Sequence, residues 1–173
     1  KEPPEDCAFI GELSLAGALR PVRGALPMAL AAARAGIRRL FVPAENASEA
    51  AFADGVEVYG AGSVEELLEY FRGRTELERA EPPRVHSRRS GGADFAEVKG
   101  QAAVKRALEV AAAGGHNILM VGPPGAGKSM LAKRIVGILP DMSRAEMLQT
   151  TEIHSVAGLT SSAHPVVDER PFR

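Results

Sequence analysis

One glycine-rich stretch, residues 122–129, constrains this chain most; it reads Gly-Pro-Pro-Gly-Ala-Gly-Lys-Ser. It fits the phosphate-loop pattern of Gly, any four residues, Gly-Lys and then Ser or Thr. A continuous apolar run at 118–121 precedes it and predicts a strand buried on both faces of a parallel sheet. Residues 130–139, which follow, carry apolar side chains at helical spacing. The stretch therefore has the strand, loop and helix context of a nucleotide triphosphate site.

The residue types of this loop suit the binding of a polyphosphate. Backbone N–H groups must converge on the phosphates, and glycine lets them approach because it has no side chain. The two prolines have no N–H, so the amides are expected from Gly125 through Ser129. We predict that Lys128 is the catalytic residue and contacts the β- and γ-phosphates of ATP, and that the Ser129 hydroxyl ligates Mg²⁺. The predicted nucleotide-binding residues are Gly122, Pro123, Pro124, Gly125, Ala126, Gly127, Lys128 and Ser129.

Composition limits the function classes without choosing one. The chain has 21 basic and 22 acidic side chains, so no global field points to nucleic acid or to a membrane. Its single cysteine, Cys7, excludes an intramolecular disulfide and is typical of a reducing cytosol. The sequence shows neither a signal peptide nor an apolar run of the roughly 18 residues that a membrane span needs. We expect a cytoplasmic protein with no membrane partner.

The pattern of elements predicts two domains. Strands and helices alternate over residues 1–72, including an alanine-rich helix at 26–35 and a capping box that opens a helix at Ser63, which indicates a small α/β domain. Residues 73–93 lose the apolar periodicity and are rich in Arg, Glu, Pro and Gly, so we predict a linker there. The second domain then spans residues 94–173.

Two further groups of polar residues carry no predicted site. A basic group in the linker lacks the interleaved aromatic residues that stack on bases, so a solvated connector is favoured over a nucleic-acid contact. Its members are Arg84, His86, Arg88 and Arg89. The histidines stand at no metal-ligand spacing, and with one cysteine in the chain we predict no zinc site. They are His86, His116, His154 and His164.

A phosphate-loop ATPase needs a second strand that ends in an acidic pair, which holds Mg²⁺ and orients the attacking water. Asp168 and Glu169 follow two valines, but this apolar run is short and comes directly after Pro165, which argues against a central strand. No other Asp-Glu pair follows the loop. We therefore expect the chain to be cut within its ATPase domain, and to bind nucleotide while turning it over negligibly.

The chain resembles a known family at several stretches. These are Asp-Phe-Ala-Glu-Val-Lys-Gly-Gln at 94–101, Gly-Gly-His-Asn at 114–117, Ile-His-Ser-Val-Ala-Gly-Leu at 153–159 and Arg-Pro-Phe-Arg at 170–173. Together with the phosphate loop they resemble the magnesium-chelatase-related AAA+ ATPases of the YifB/ComM competence-protein family. The loop alone is shared by many families, but its combination with Ile-His-Ser-Val-Ala-Gly is specific.

The first half is similar to the Lon-protease-type domain that precedes the ATPase in this family. The similarity covers the stretches at 11–15, 20–24 and 35–46. In proteolytic relatives a catalytic lysine stands five residues after the proline of Pro-Val. Leu26 occupies that position here and cannot act as a base. The resemblance therefore implies a domain without peptidase activity, used for assembly or DNA contact.

The resemblance implies an α/β fold: a truncated Lon-protease-like domain followed by the first part of a P-loop AAA+ domain with a parallel sheet. It also implies ATP and Mg²⁺ as cofactors, a hexameric ring of identical subunits, and DNA as a partner. ComM proteins act as helicases that drive branch migration during natural transformation. Two other classes stay open, an ATPase that drives metal insertion into a porphyrin and a small-molecule kinase. The kinase ranks last because it would not need the Lon-like domain.

Overall fold

The computed structural model of this chain describes residues 4–85 and 94–172. They form two compact units. The N-terminal unit consists of residues 4–85 together with Arg144–Val167, and the loop unit, which carries the phosphate loop, consists of residues 94–143 and 168–172. This division differs from the predicted boundary at residue 94, because Arg144–Val167 packs with the first unit.

A three-stranded parallel sheet lies at the centre of the N-terminal unit. Its strands are β1 (Cys7–Phe9), β4 (Arg39–Pro43) and β5 (Glu57–Ala61), in the order β1-β4-β5. The central strand β4 is apolar and buried from its second residue, Leu40, onward, as expected for a parallel strand covered on both faces. The predicted α/β fold with a parallel sheet is confirmed.

A short antiparallel hairpin follows β1. It consists of β2 (Glu12–Leu13) and β3 (Leu19–Arg20), with Leu13 opposite Leu19. Ser14 closes the turn, since its carbonyl accepts from Gly17 N and its hydroxyl accepts from Ala18 N. The hairpin is therefore fixed by local turn chemistry as well as by strand pairing.

Four helices complete the N-terminal unit: α1 (Ala25–Arg34), α2 (Ala47–Ala50), α3 (Val64–Arg72) and α6 (Arg144–Val156). A 3₁₀ turn, Ala44–Asn46, leads into α2. The predicted cap of α3 is present, because the Ser63 hydroxyl accepts from Glu66 N at 3.2 Å. The Glu66 carboxylate reaches one residue further back than a capping box requires and accepts from Gly62 N at 2.7 Å.

Aromatic rings form much of the core on the α3 side of the sheet. Phe41 is 1% exposed, and its ring stacks on Phe9 and Tyr59 at centroid distances of 5.2 and 5.4 Å. Tyr70 and Phe71 from α3 add tilted and edge contacts to the same ring. Strand β4 and helix α3 are thus held together by ring packing at distances that favour such pairs.

An ion pair fastens the segment before β1 to β4. Arg39 Nη2 donates to Asp6 Oδ1 at 2.8 Å, and the Asp6 carbonyl accepts from the Arg38 and Arg39 amides. The hydrogen bond from Arg39 is the main reason that the pKa of Asp6 lies below its ordinary value. A carboxyl whose folded pKa is depressed stabilises the fold above its unfolded pKa, and that contribution disappears as the pH falls through the folded pKa.

We expect Arg39→Gln to raise the pKa of Asp6 toward its ordinary value, because the substitution removes the cation that favours the carboxylate. Carboxyl carbon chemical shifts followed by NMR across an acid titration measure this directly. The pKa of Glu69, which Arg72 lowers, should stay unchanged in the variant and serves as the control. An unaltered Asp6 midpoint would show that Arg39 does not cause the shift.

The loop unit contains α4 (Ala102–Gly114) and α5 (Lys128–Ile135), with 3₁₀ turns at Phe95–Glu97 and Val136–Ile138. Val98, Leu108 and Leu131 form its buried core. Partly buried apolar residues surround them: Phe95, Val104, Met120, Ile135 and Ile138. Among the helices of both units, none is long and apolar enough to cross a bilayer within the described residues.

The strand predicted at 118–121 does not form. These residues have no regular secondary structure, and the side chains of Leu119 and Val121 are 86% and 87% exposed. A strand is stable only when neighbouring strands accept and donate its backbone hydrogen bonds. Within residues 4–85 and 94–172, no segment pairs with 118–121, and the parallel sheet lies in the other unit.

The first part of the predicted linker is attached to the N-terminal unit. Ala80 N donates to Val58 O at 2.8 Å, and Arg79 forms a bridge to Tyr59 and an ion pair with Glu57. Leu77 packs against the aromatic core. Residues 77–80 therefore lie against the N-terminal unit instead of forming a free connector. The remainder of the predicted linker, including His86, Arg88 and Arg89, lies outside the described residues.

Candidate nucleotide-binding site

The phosphate loop turns into helix α5 through two glycines in the left-handed region. Gly125 has φ 81° and Gly127 has φ 78°, a conformation that costs side-chain-bearing residues free energy. Gly127 is the residue before the first turn of α5, and its carbonyl accepts from Leu131 N at 3.0 Å. Glycine at this position therefore allows the turn that leads from the loop into α5.

Lys128 is folded back over the loop. Its Nζ donates to the carbonyl oxygens of Gly122 at 2.8 Å and Pro123 at 2.7 Å. The ammonium group is thus held beside the first residues of the loop, while the backbone of Lys128 begins α5. A phosphate oxygen could replace a carbonyl as its partner and form a stronger, charge-assisted hydrogen bond.

The donor groups at this point fit a nucleotide with Mg²⁺. The first amides of α5 have no intrahelical acceptor, and the positive end of the helix dipole lies at the loop. Ser129, whose side chain is exposed, brings a hydroxyl into the same first turn. Amides and an ammonium suit phosphate oxygens, and a hydroxyl suits a hard cation. The roles assigned to the eight loop residues stay predictions that this geometry supports.

Arg134 ties the segment before α4 to the phosphate-loop helix. Its guanidinium donates to Glu97 Oε2 at 2.6 Å and to the Asp94 carbonyl at 3.0 Å, and its side chain is 17% exposed. The Asp94 carboxylate caps the turn that follows by accepting from Ala96 N. Two of the stretches that carry the family resemblance, 94–101 and the loop, are therefore fixed to each other through α5.

In the described residues, the acidic pair lies outside the strands and the histidines belong to no metal-binding cluster. Asp168 and Glu169 belong to no strand, so the structure places no strand-borne acidic pair there. In residues 4–85 and 94–172, no three His, Cys, Asp or Glu side chains converge on a point where a metal ion could bind. His86 lies outside these residues.

The N-terminal unit contains a buried carboxylate that was not predicted from the sequence. Glu49 on α2 is 5% exposed, and its Oε1 accepts from Leu26 N at 3.0 Å and from the Ser155 hydroxyl. Its Oε2 accepts from the Thr160 hydroxyl at 2.8 Å. All three neighbours donate, so both carboxylate oxygens have hydrogen-bond partners. No local pattern marks Glu49, because Ser155 and Thr160 lie 106 and 111 residues further along the chain.

The structure also shows where two residues discussed for this family, Leu26 and His154, lie in the N-terminal unit. Leu26, which stands where the family resemblance expects a catalytic lysine in proteolytic members, is 0% exposed and belongs to the core. His154 lies on α6, inside the Ile-His-Ser-Val-Ala-Gly stretch. The neighbouring Ser155 is 0% exposed and bonds to Glu49, so this stretch has a structural function in the N-terminal unit.

Sequence comparisons agree with this geometry. The family model described as "Magnesium chelatase, subunit ChlI" matches residues 94–173, and the one described as "Subunit ChlI of Mg-chelatase" matches residues 1–46. The chain therefore joins a magnesium-chelatase-type phosphate-loop region to the N-terminal region that accompanies it, and this defines its class.

The family of this chain follows from the proteins to which its sequence is similar. The chain is 45% identical to Rv2897c of Mycobacterium tuberculosis, 40% to YifB of Escherichia coli and 36% to ComM, a competence protein of Haemophilus influenzae. These alignments cover 97%, 98% and 95% of this chain and 33% of each relative. The chain belongs to the magnesium-chelatase-related AAA+ family of YifB and ComM, and it spans about a third of the length of these relatives.

Proposed function

We propose that this chain is the ATP-binding portion of a ring-forming motor that acts on DNA in competence and recombination. The observation that carries the nucleotide part of the proposal is the loop itself. Lys128 is folded over the carbonyls of Gly122 and Pro123, and its backbone begins α5, whose first amides have no intrahelical acceptor. ATP and Mg²⁺ use fits the AAA+ family to which the chain belongs.

In this proposal the amides of residues 125–129 hold the phosphates and Lys128 neutralises their charge. Ser129 would ligate Mg²⁺, which supplies charge stabilisation at the γ-phosphate when it is bound. Orientation of the attacking water needs an acidic group that ends a neighbouring strand, and Asp168 and Glu169, the acidic pair that follows the loop, belong to no strand. Hydrolysis is therefore assigned to a longer parent protein, with this chain binding nucleotide.

The proposed action on DNA rests on the proteins to which this chain is similar. One is named a competence protein, and a further match, 35% identical over 68 residues and 39% of this chain, is the DNA repair protein RadA of Escherichia coli. The family resemblance links ComM proteins to branch migration in natural transformation and to hexameric rings. A homo-hexamer working on DNA is the assembly that these facts favour.

A second candidate is an ATPase that drives insertion of Mg²⁺ into a porphyrin. It is favoured by the description of both matching family models, which name magnesium chelatase. Both candidates use the same phosphate loop, so the site alone does not separate them. They differ in what stimulates hydrolysis, since a DNA motor couples ATP turnover to DNA and a chelatase couples it to the other components of metal insertion.

We expect ATP hydrolysis by the full-length parent to rise at least about tenfold on addition of branched DNA, because a motor turns over productively only with its substrate bound. Phosphate release measured with and without DNA tests this, with Lys128→Ala as the variant that should lose turnover in both conditions. Hydrolysis that depends on Lys128 but is indifferent to DNA would contradict the motor and favour the chelatase-type ATPase.

A further inference from the structure

Helix α4 of the loop unit starts from a residue that suits its position poorly. Gln101, which immediately precedes α4, has φ 50° and ψ 38°, and in residues 4–85 and 94–172 it is the only residue other than glycine with a positive φ. This left-handed region costs free energy for a residue that carries a side chain. The side chain also makes no capping hydrogen bond to α4, although residues before a helix ordinarily contribute one. The helix itself therefore gives no reason for a glutamine here.

The carboxamide of Gln101 lies beside the phosphate loop. A β-carbon placed on Gly127 would have Gln101 Nε2 at 3.5 Å and Met130 Cε at 3.4 Å as neighbours. Gly127 lies inside the run 125–129, whose amides are proposed to hold the phosphates. Gln101 is exposed, so a ligand can reach its side chain. A side-chain N–H donor is thus placed next to the backbone donors of the loop.

Contacts within the loop unit hold Gln101 at this point. Arg134 of α5 donates to Glu97 Oε2 at 2.6 Å, which fastens the segment before Gln101 to the phosphate-loop helix. Lys105 N, in the first turn of α4, donates to Gln101 O at 3.0 Å. The backbone of Gln101 is therefore tied to α4 while the segment that leads to it is tied to α5. The position of its side chain beside Gly127 follows from both ties.

Lys128 and Gln101 lie at different ends of the loop. Lys128 Nζ rests on the carbonyls of Gly122 and Pro123, the first residues of the motif, whereas Gln101 lies beside Gly127, near its end. The two side chains also differ in charge. An ammonium neutralises a phosphate, while a carboxamide donates a hydrogen bond to a phosphate oxygen without adding charge.

We propose that Gln101 is a further nucleotide-binding residue, whose carboxamide donates a hydrogen bond to a phosphate oxygen of the nucleotide beside Gly127. The proposal rests on the proposed nucleotide site. It also gives a reason for the backbone of Gln101, because strained conformations of this kind are kept where they direct a side chain to a ligand.

The test is calorimetric titration of the 173-residue chain with ATP and, separately, with inorganic triphosphate, both with Mg²⁺. Gln101→Ala should weaken the two ligands by the same factor, about three- to tenfold, because both contain the phosphate oxygen that accepts the hydrogen bond. Gln101→Glu keeps the size of the side chain but replaces the donor by an anion, so it should weaken both at least as much. Gln149→Glu, the same change on an exposed glutamine of α6, is the matched control and should leave both affinities unchanged.

Gln101→Gly separates binding from folding. Glycine adopts the left-handed region without strain, so hydrogen exchange followed by mass spectrometry should show the amides of α4 exchanging no faster than in the unaltered chain. The affinity of this variant for ATP should nevertheless fall as it does in Gln101→Ala. Faster exchange of α4 together with weaker binding would make Gln101 a structural residue and overturn its contact with the nucleotide.

The remaining outcomes separate the contact from the site. Unchanged ATP affinity in Gln101→Ala would overturn the contact and leave the proposed function standing. Weaker ATP binding with unchanged triphosphate binding, or an unaltered chain that binds ATP and no triphosphate, would place the affinity on the nucleoside and overturn the phosphate contact. If the unaltered chain binds neither ligand, the proposed function fails, and the role of Gln101 fails with it.

Discussion

Glu49→Ala should lower the free energy of unfolding of the N-terminal unit by about 3 kcal/mol or more. The carboxylate accepts hydrogen bonds from Leu26 N, the Ser155 hydroxyl and the Thr160 hydroxyl, and Glu49 is 5% exposed. Its removal leaves buried donors without acceptors, and each such group costs about 1–3 kcal/mol. The substitution also removes the hydrogen bonds that join Ser155 and Thr160 to α2.

Tyrosine fluorescence during urea unfolding measures this effect selectively. The chain has two tyrosines and no tryptophan, and Tyr59 and Tyr70 both lie in the N-terminal unit. Glu49→Gln keeps an acceptor for Leu26 N and can donate to Thr160, so it should lose less than half as much. Arg74→Ala, which breaks an exposed ion pair with Glu69, should cost less than about 1 kcal/mol. Equal midpoints for Glu49→Ala and Arg74→Ala would refute the role of Glu49.

Features of this chain that depend on neighbouring residues could be predicted from its sequence. The cap at Ser63 follows from residues within one helical turn, and the left-handed turn at Gly127 follows from the phosphate-loop pattern. In both cases the residues that cause the feature are close to it in the sequence.

Features that depend on distant partners could not be predicted. Glu49 stands among alanines and resembles any helical acid until Ser155 and Thr160 are brought to it. The docking of Arg144 depends in the same way on Asp54, 90 residues earlier in the chain. The strand predicted at 118–121 was wrong for the same reason. An apolar run forms a strand only if other strands are available to pair with it, and that depends on distant residues.

Lys128→Ala should weaken binding of ATP with Mg²⁺ by about 1.5–3 kcal/mol, which corresponds to roughly ten- to hundredfold in affinity. The ammonium of Lys128 now rests on the carbonyls of Gly122 and Pro123, and we expect phosphate oxygens to replace them as partners. Loss of the cation removes a charge-assisted contact and also frees the loop backbone that it holds. Calorimetric titration of the 173-residue chain measures the change.

Lys133→Ala provides the control, because Lys133 is an exposed lysine in the last turn of the same helix and its loss changes the net charge equally. It should bind ATP like the unaltered chain. Ser129→Ala distinguishes the contact with Mg²⁺ from the contacts with the phosphates. Without Mg²⁺ its affinity for ATP should match that of the unaltered chain, and with Mg²⁺ its affinity for ATP should be weaker. If Lys128→Ala and Lys133→Ala bind ATP equally well, the phosphate contact assigned to Lys128 is wrong and the loop holds nucleotide through its amides alone.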